Sequence, residues 1–128
     1  MQVPGFLARQ FYVGGSLRNT PTGFSLQAKN PLGDGVLVGV GSMSVDGQLI
    51  HPSRVSAVRT GDPQVMRASD VSRTQPIHVR KGDTVTLHIE GPQLPPGSHK
   101  LEVELHEINV GALRFSISDK VAATASGG

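Results

Sequence analysis

Two histidines and two glutamates at alternating positions are the residues of this chain best suited to metal chemistry. They are His88, Glu102, Glu104 and His106, and imidazole and carboxylate groups on strands hold the metal in cupin-type barrels. Such ligands must converge inside a barrel, where the protein shields them from water. These four alternate with aliphatic residues whose burial is the stronger demand. The pattern therefore favours a solvated face of a sheet, and a small cupin-like metalloenzyme is the less favoured alternative.

The rest of the chain offers little for catalysis. It contains no Cys, which excludes a thiolate nucleophile, a thiolate metal site and a disulfide framework. No G-x-S-x-G elbow is present. The glycine-rich segment 30–41 (NPLGDGVLVGVG) lacks the Lys-Ser or Lys-Thr pair of a phosphate-binding loop. We therefore predict no catalytic residue, no bound metal and no cofactor in this chain.

Composition limits the partners that the chain can have. Its 128 residues suffice for one domain, and 12 Lys and Arg against 10 Asp and Glu leave a net charge of +2. That charge is too weak for nucleic-acid binding, and aromatic residues, at 4%, are too few for a stacking platform. No apolar run of membrane-spanning length and no secretory signal is visible. We therefore expect a soluble, cytoplasmic protein that binds neither nucleic acid nor a membrane.

Three segments alternate apolar and polar residues with the period of a strand that has one buried face. They are residues 22–29, 83–90 and 99–108. The turn-forming sequence GPQLPPGS separates the last two segments, which predicts that they pair as an antiparallel hairpin. In the predicted register His88 faces Glu102 and Thr84 faces His106, so the candidate metal ligands share one outer face.

Other segments complete an all-β pattern. Residues 41–50 form a second predicted hairpin, because Asp46-Gly47 supplies the positive φ angles of a two-residue turn. Further short strands are expected at 55–59, at 77–79 and around Phe115 and Ile117, and residues 61–73 have the composition of a single helical turn. We predict an antiparallel β-sandwich or jelly-roll-like domain over residues 1–120, followed by a flexible C-terminal tail over residues 121–128.

The glycine-rich segment has a second unusual property, because it is also apolar. It carries the aliphatic residues Leu32, Val36, Leu37, Val38 and Val40. Apolar residues exposed on a small domain usually mark a contact surface. The alternative is that residues 36–40 are simply another buried strand. Charge is also uneven along the chain, since all four Glu lie between residues 90 and 107, which favours a surface that docks against a particular partner.

Several segments together resemble a known family. Their order is Gly14-Gly15-Ser16-Leu17-Arg18-Asn19, Thr22-Gly23-Phe24, Asn30-Pro31-Leu32, Ser44-Val45-Asp46-Gly47 and Leu94-Pro95-Pro96-Gly97-Ser98-His99. In this order and spacing, the chain is similar to the small, or beta, subunit of bacterial C-glycoside deglycosidases over roughly residues 11–118.

The resemblance implies a role in cleaving the carbon–carbon bond between a sugar and an aromatic aglycone, in glycosides whose sugar 3-hydroxyl has been oxidised to a ketone. In that family the catalytic base and acid and a divalent metal, of the Mn or Mg type, belong to a large (alpha) TIM-barrel subunit. The small subunit is a β-sandwich that packs against the large one in a hetero-oligomer. The resemblance therefore implies that this chain is a noncatalytic subunit of a carbon–carbon lyase that serves flavonoid C-glycoside catabolism.

The same resemblance assigns a partner interface to the apolar loop and to a nearby segment. The assigned residues are Arg18, Asn19, Asn30, Pro31, Leu32, Asp34, Val36 and Leu37. The alternative function is a free-standing β-sandwich module that binds carbohydrate or protein. The scarcity of aromatic residues disfavours this alternative, because sugar binding usually relies on Trp or Tyr side chains.

Overall fold

Ten strands and one short helix make up the computed structural model, which describes residues 1–62 and 64–122. The helix α1 spans Gly5–Phe11, and single 3₁₀ turns lie at Pro52–Arg54 and Ala68–Asp70. The strands are β1 (Arg18–Thr20), β2 (Gly23–Lys29), β3 (Gly35–Val45), β4 (Gln48–Ile50), β5 (Val55–Arg59), β6 (Val65–Arg67), β7 (Ile77–Val79), β8 (Thr84–Glu90), β9 (Gly97–Glu107) and β10 (Gly111–Val121).

The strands form two antiparallel sheets. The first sheet has the order β1-β2-β8-β5-β6, and the second has the order β10-β9-β3-β4, with β7 also paired to β3. The apolar faces of both sheets contribute to one core, since Phe24 and Ile89 of the first sheet cluster with Met43 and Leu101 of the second. The predicted all-β antiparallel sandwich is confirmed.

Local patterning predicted several of these elements well. Strands β5 and β7 have the predicted limits, and Phe24 and Leu26 of β2 are buried as the alternation requires. The turn between β3 and β4 has φ angles of 52° at Asp46 and 82° at Gly47. Positive values at both central residues are the signature of a type I′ turn, so the second predicted hairpin is confirmed.

The other predicted hairpin is wrong. Strand β8 lies between β2 and β5 in the first sheet, whereas β9 lies between β10 and β3 in the second. Residues 91–96 therefore connect the two sheets, and they are held to β1 by the Asn19 side chain, whose Oδ1 and Nδ2 are both 2.8 Å from the backbone of Leu94. Alternation predicts which side chains are buried, but it does not choose the neighbouring strand.

Three smaller expectations also need correction. Sequence patterning gave no helix at α1, which forms because Ala8 packs beside Phe115 in a second apolar cluster. The single helical turn was expected to begin after Asp62, but Val65–Arg67 forms strand β6 and a 3₁₀ turn follows only at Ala68–Asp70. Val121, the first residue of the expected tail, is the buried last residue of β10, and residues 123–128 lie outside the described residues.

A buried histidine ties three segments together at one end of the sandwich. Both ring nitrogens of His99 are engaged, with Nδ1 2.6 Å from Asp46 Oδ2 and Nε2 2.7 Å from the carbonyl of Pro95. Since a carboxylate and a carbonyl only accept, both contacts are hydrogen bonds only when both nitrogens carry a proton, so this arrangement favours the imidazolium form. The hydrogen bond to Asp46, followed by the one to Pro95, raises the pKa of His99 above its ordinary value.

Candidate partner interface

The loop between β2 and β3 is fixed by its first residue. Asn30 exchanges backbone hydrogen bonds with the turn before β8: its N–H donates to Asp83 and its carbonyl accepts from Gly82. Its side-chain Nδ2 donates to the carbonyls of Gly33 and, at 3.2 Å, of Val79. Asn30 therefore shapes the loop and anchors it to the neighbouring chain.

The tip of this loop is apolar and exposed. Leu32, at the tip, is 60% exposed, and its N–H donates to Asn30 Oδ1 at 3.3 Å. Two residues later, Asp34 Oδ1 accepts from the N–H of Lys81 at 3.2 Å. The loop thus presents Leu32 to solvent on a backbone that is hydrogen-bonded on both sides. Pro31 lies between Asn30 and Leu32.

Residues 36–40 belong to a strand, as the alternative interpretation of the apolar segment expected. Val36 and Leu37 lie near the start of β3, where they pair with His78 and Ile77 of β7. Their side chains are half-buried. The segment therefore combines a strand that contributes to the sandwich with a loop that extends beyond it.

A glutamate at the end of β9 connects the start of β3 to the next turn. The Glu107 carboxylate accepts hydrogen bonds from the backbone N–H groups of Val36 (3.0 Å), Asn109 (2.8 Å) and Val110 (2.9 Å). The bond from Val36 contributes most to a pKa of Glu107 that lies below the ordinary value. Glu107 thus holds both the strand and the turn in place.

Two further exposed aliphatic residues lie in this turn. Ile108 is 43% exposed and Val110 is 58% exposed, and the N–H of Ile108 donates to the carbonyl of Val36 at 3.0 Å. We call Leu32, Val36, Ile108 and Val110 the loop-end surface. Sequence reasoning missed Ile108 and Val110; the signal was a pair of aliphatic residues on either side of Asn109 in a turn.

The remaining residues of the predicted interface do not join the loop. Arg18 and Asn19 lie in β1, opposite Ser25 and Phe24 at the beginning of β2. The loop follows the other end of β2. The structure therefore separates the predicted interface into two parts, and it gives Asn19 a different role in holding the connection between the sheets.

The candidate metal ligands are also separated. His88 lies on β8 of the first sheet, while Glu102, Glu104 and His106 lie on β9 of the second. Within residues 1–62 and 64–122, no group of three or more His, Asp or Glu side chains is arranged to hold a metal. The sequence placed these residues together on the outer face of one hairpin, and this prediction is wrong because that hairpin does not form.

Glu104 instead forms a surface ion-pair group. Its Oε1 is 2.9 Å from Arg114 Nε and its Oε2 is 3.3 Å from His106 Nε2, and the bonds to Arg114 and then to His106 lower the pKa of Glu104. The carboxylate lies over Gly41, where a Cβ would come within 2.2 Å of Oε2. A side chain at Gly41 would therefore displace the Glu104 carboxylate, in a part of β3 that is bulged against β9.

The fold places the chain among all-β sandwich domains, and among the helices in the described part none has the length and apolar character to cross a membrane. The model of one family, described as hydroxymethylglutaryl-CoA reductase, N-terminal domain, matches residues 7–122, and this chain belongs to that family.

No curated protein matches the chain. Among solved structures, the chain is similar to a family 123 glycoside hydrolase from Clostridium perfringens, with 14% sequence identity and a TM-score of 0.39. That alignment covers 81% of this chain and 22% of the hydrolase, so the chain spans about a fifth of the length of that enzyme.

Proposed function

We propose that this chain is the noncatalytic small subunit of a cytoplasmic C-glycoside deglycosidase. In this proposal a TIM-barrel large subunit holds the divalent metal and the catalytic base and acid, and it cleaves the bond between sugar and aglycone in 3-oxo-C-glycosides. The small subunit binds the large one through the loop-end surface and supports the mouth of its active site.

The observation that carries the proposal is the construction of the loop-end surface. Three of its side chains, those of Leu32, Ile108 and Val110, are exposed aliphatic groups. The side chains of Asn30 and Glu107 form hydrogen bonds that hold the neighbouring backbone in place. Exposed apolar residues on a preformed backbone lower the entropic cost of association. This arrangement supports a protein-binding role.

The family match favours a second candidate, in which the domain accompanies a reductase that acts on hydroxymethylglutaryl-CoA. The match covers residues 7–122 and therefore most of the sandwich. In both candidates the β-sandwich assists a catalytic unit. A free-standing carbohydrate-binding module remains the third candidate, and it is the least favoured because the whole chain has one Tyr and no Trp.

Reconstitution of activity tests the first candidate. A TIM-barrel isomerase homologue from the same organism is purified alone and together with this chain, and turnover of a 3-oxo-C-glycoside is measured. We expect weak activity from the large subunit alone, none from this chain alone and full activity from the complex. Full activity of the large subunit without this chain would contradict the proposal.

The other candidates require separate controls. Reduction of hydroxymethylglutaryl-CoA by a hydroxymethylglutaryl-CoA reductase from the same organism would favour the second candidate if that activity depended on this chain. Saturable binding of a sugar to the isolated chain would favour the third candidate. Under the first candidate, both of these measurements give no signal.

A further inference from the structure

A second candidate site lies on the outer face of the first sheet, away from the loop-end surface. A cleft of about 250 Å³ is lined by Val13–Ser16, Arg18, Ser25 and Gln27. Phe24 and Leu26 of β2 point into the core, so Ser25 and Gln27 point to the opposite face of the sheet. The cleft therefore contains most of the Gly14-Gly15-Ser16-Leu17-Arg18 motif, to which the proposed function gives no role.

Ser25 is the most unusual residue of this cleft. Its side chain is polar, yet the residue is only 2% exposed. None of the hydrogen bonds in the two described segments of the chain involves its hydroxyl. Every side-chain polar atom there that is fully buried has a hydrogen-bond partner, so the Ser25 hydroxyl must keep some exposure. The small remaining exposure of Ser25 is thus toward the cleft that it lines. Burying a hydroxyl without a hydrogen-bond partner costs free energy unless a ligand or a water molecule supplies that partner.

The charge of the cleft comes from Arg18. This side chain is exposed, and within the described part of the chain it forms no salt bridge. His88 lies directly beside Ser25 on the neighbouring strand and on the same face. No carboxylate lines the cleft. The Asp119 carboxylate is already engaged at the glycine turn, where its Oδ2 accepts from the N–H of Gly15 at 3.0 Å and from the Tyr12 hydroxyl.

The glycine turn closes one side of the cleft. The N–H of Ser16 donates to the carbonyl of Val13, and Gly15 has a φ of 80°, which a side chain would disfavour. Ser16 Oγ accepts from the N–H of Gln27 at 2.9 Å, which holds the turn against β2. The cleft is therefore formed before any ligand binds.

We propose that this cleft binds a small oxyanion, either a carboxylate or a phosphate. The Arg18 guanidinium forms an ion pair with the anion, and the Ser25 hydroxyl donates a hydrogen bond to it. Arg18 suits this role because a planar guanidinium can donate two parallel hydrogen bonds to such a group.

Titration of the isolated chain tests this proposal without any partner. Inorganic phosphate and, in a second series, acetate are added at constant ionic strength while backbone amide shifts are followed by NMR. We expect saturable shifts confined to residues 13–18 and 25–27. The series that saturates at the lower concentration identifies the preferred anion. Shifts that do not saturate, or that spread over all basic surfaces, would overturn the proposal.

Two variants and one control sharpen the test. Arg18→Gln should weaken binding about tenfold or more, since a hydrogen bond to a charged group is lost. Arg67→Gln is the matched control, because Arg67 lies on the same row and face but four strands away, at about 19 Å. Equal weakening by the two variants would overturn the proposal.

The second variant is Ser25→Ala, which removes an unpaired hydroxyl. The melting temperature of this variant should be unchanged or higher, while its phosphate or acetate affinity falls. An unchanged affinity would contradict the role of Ser25. Because these experiments use the isolated chain, their failure would leave the proposed partner role untouched.

Discussion

At the scale of single residues, His99 shows how one side chain joins distant segments. It is 6% exposed and donates from both nitrogens, so its charged form is stabilised by partners that cannot donate in return. Sequence reasoning placed His99 at the start of a strand but gave it no partner, because Asp46 lies 53 residues earlier in the chain.

The raised pKa of His99 predicts a loss of stability at high pH. The folded protein binds the proton more tightly than the unfolded chain does, so the stabilisation is complete below the unfolded pKa of about 6.5. It disappears as the pH rises through the higher folded pKa of His99. The melting temperature, measured from pH 6 upward, should therefore fall across this window.

Substitution of His99 identifies this residue as the source of the effect. His99→Leu fills a similar volume but leaves the Pro95 carbonyl without its hydrogen-bond donor. This substitution should lower the unfolding free energy at pH 6 by about 1–3 kcal/mol. The fall in melting temperature above pH 6 should be weaker in this variant. The matched control His51→Leu, at an exposed histidine, should keep the wild-type pH profile; the same profile in His99→Leu would contradict the assignment.

At the scale of elements, the sequence predicted the faces of the strands better than their neighbours. Alternation placed Phe24, Leu26 and Ile89 in the core, and Asp46-Gly47 identified the turn between β3 and β4. The pairing of β8 and β9 was wrong because residues 91–96 look like a hairpin turn and yet cross between sheets. Helix α1 was missed because tertiary packing on β10, rather than local helix signals, stabilises it.

Gly23 marks a close approach between strands β2 and β8. A Cβ at this position would lie 2.0 Å from the backbone carbonyl oxygen of Ile89, and φ is 156°. Gly23→Ala should therefore lower the unfolding free energy by about 2 kcal/mol or more, because backbone must move. Gly33→Ala is the control, with open space at its Cβ. Chemical denaturation measures both, and equal losses would contradict the close approach.

The Glu107 carboxylate should protect the turn between β9 and β10 from hydrogen exchange. Glu107→Gln keeps the shape but removes the charge that three amides share, so hydrogen exchange at Val36, Asn109 and Val110 should accelerate about tenfold. Glu102→Gln is the control, since Glu102 is more exposed and its Lys100 contact is 3.9 Å. Unchanged exchange in Glu107→Gln would show that the turn is held by its backbone alone.

The same residue predicts a pH effect of opposite sign to that of His99. Because the folded pKa of Glu107 is lowered, its stabilisation is present above the unfolded pKa of about 4.3 and is lost as the pH falls through the folded value. Exchange-rate or melting measurements below pH 4.3 should therefore differ less between wild type and Glu107→Gln than measurements at pH 6.

At the scale of the whole molecule, the candidate interface was only partly predictable from sequence. The apolar residues of the loop were visible because Leu32 stands among glycines and a proline. The sequence did not reveal Ile108 and Val110 as part of this surface, because only the pairing of β9 with β3 brings their turn next to the start of β3. Arg18 was assigned by resemblance to the same surface, but it lies at the opposite end of β2.

The affinity of this chain for the proposed large subunit measures directly whether the loop-end surface is an interface. Leu32→Asp and Ile108→Asp should each weaken the Kd about tenfold or more while changing the melting temperature of the isolated chain little, because both side chains are exposed. Leu49→Asp, at an aliphatic residue 77% exposed on β4, is the matched control and should bind like wild type. Wild-type affinity in both loop-end variants, or equal weakening by Leu49→Asp, would show that the loop-end surface is not the interface.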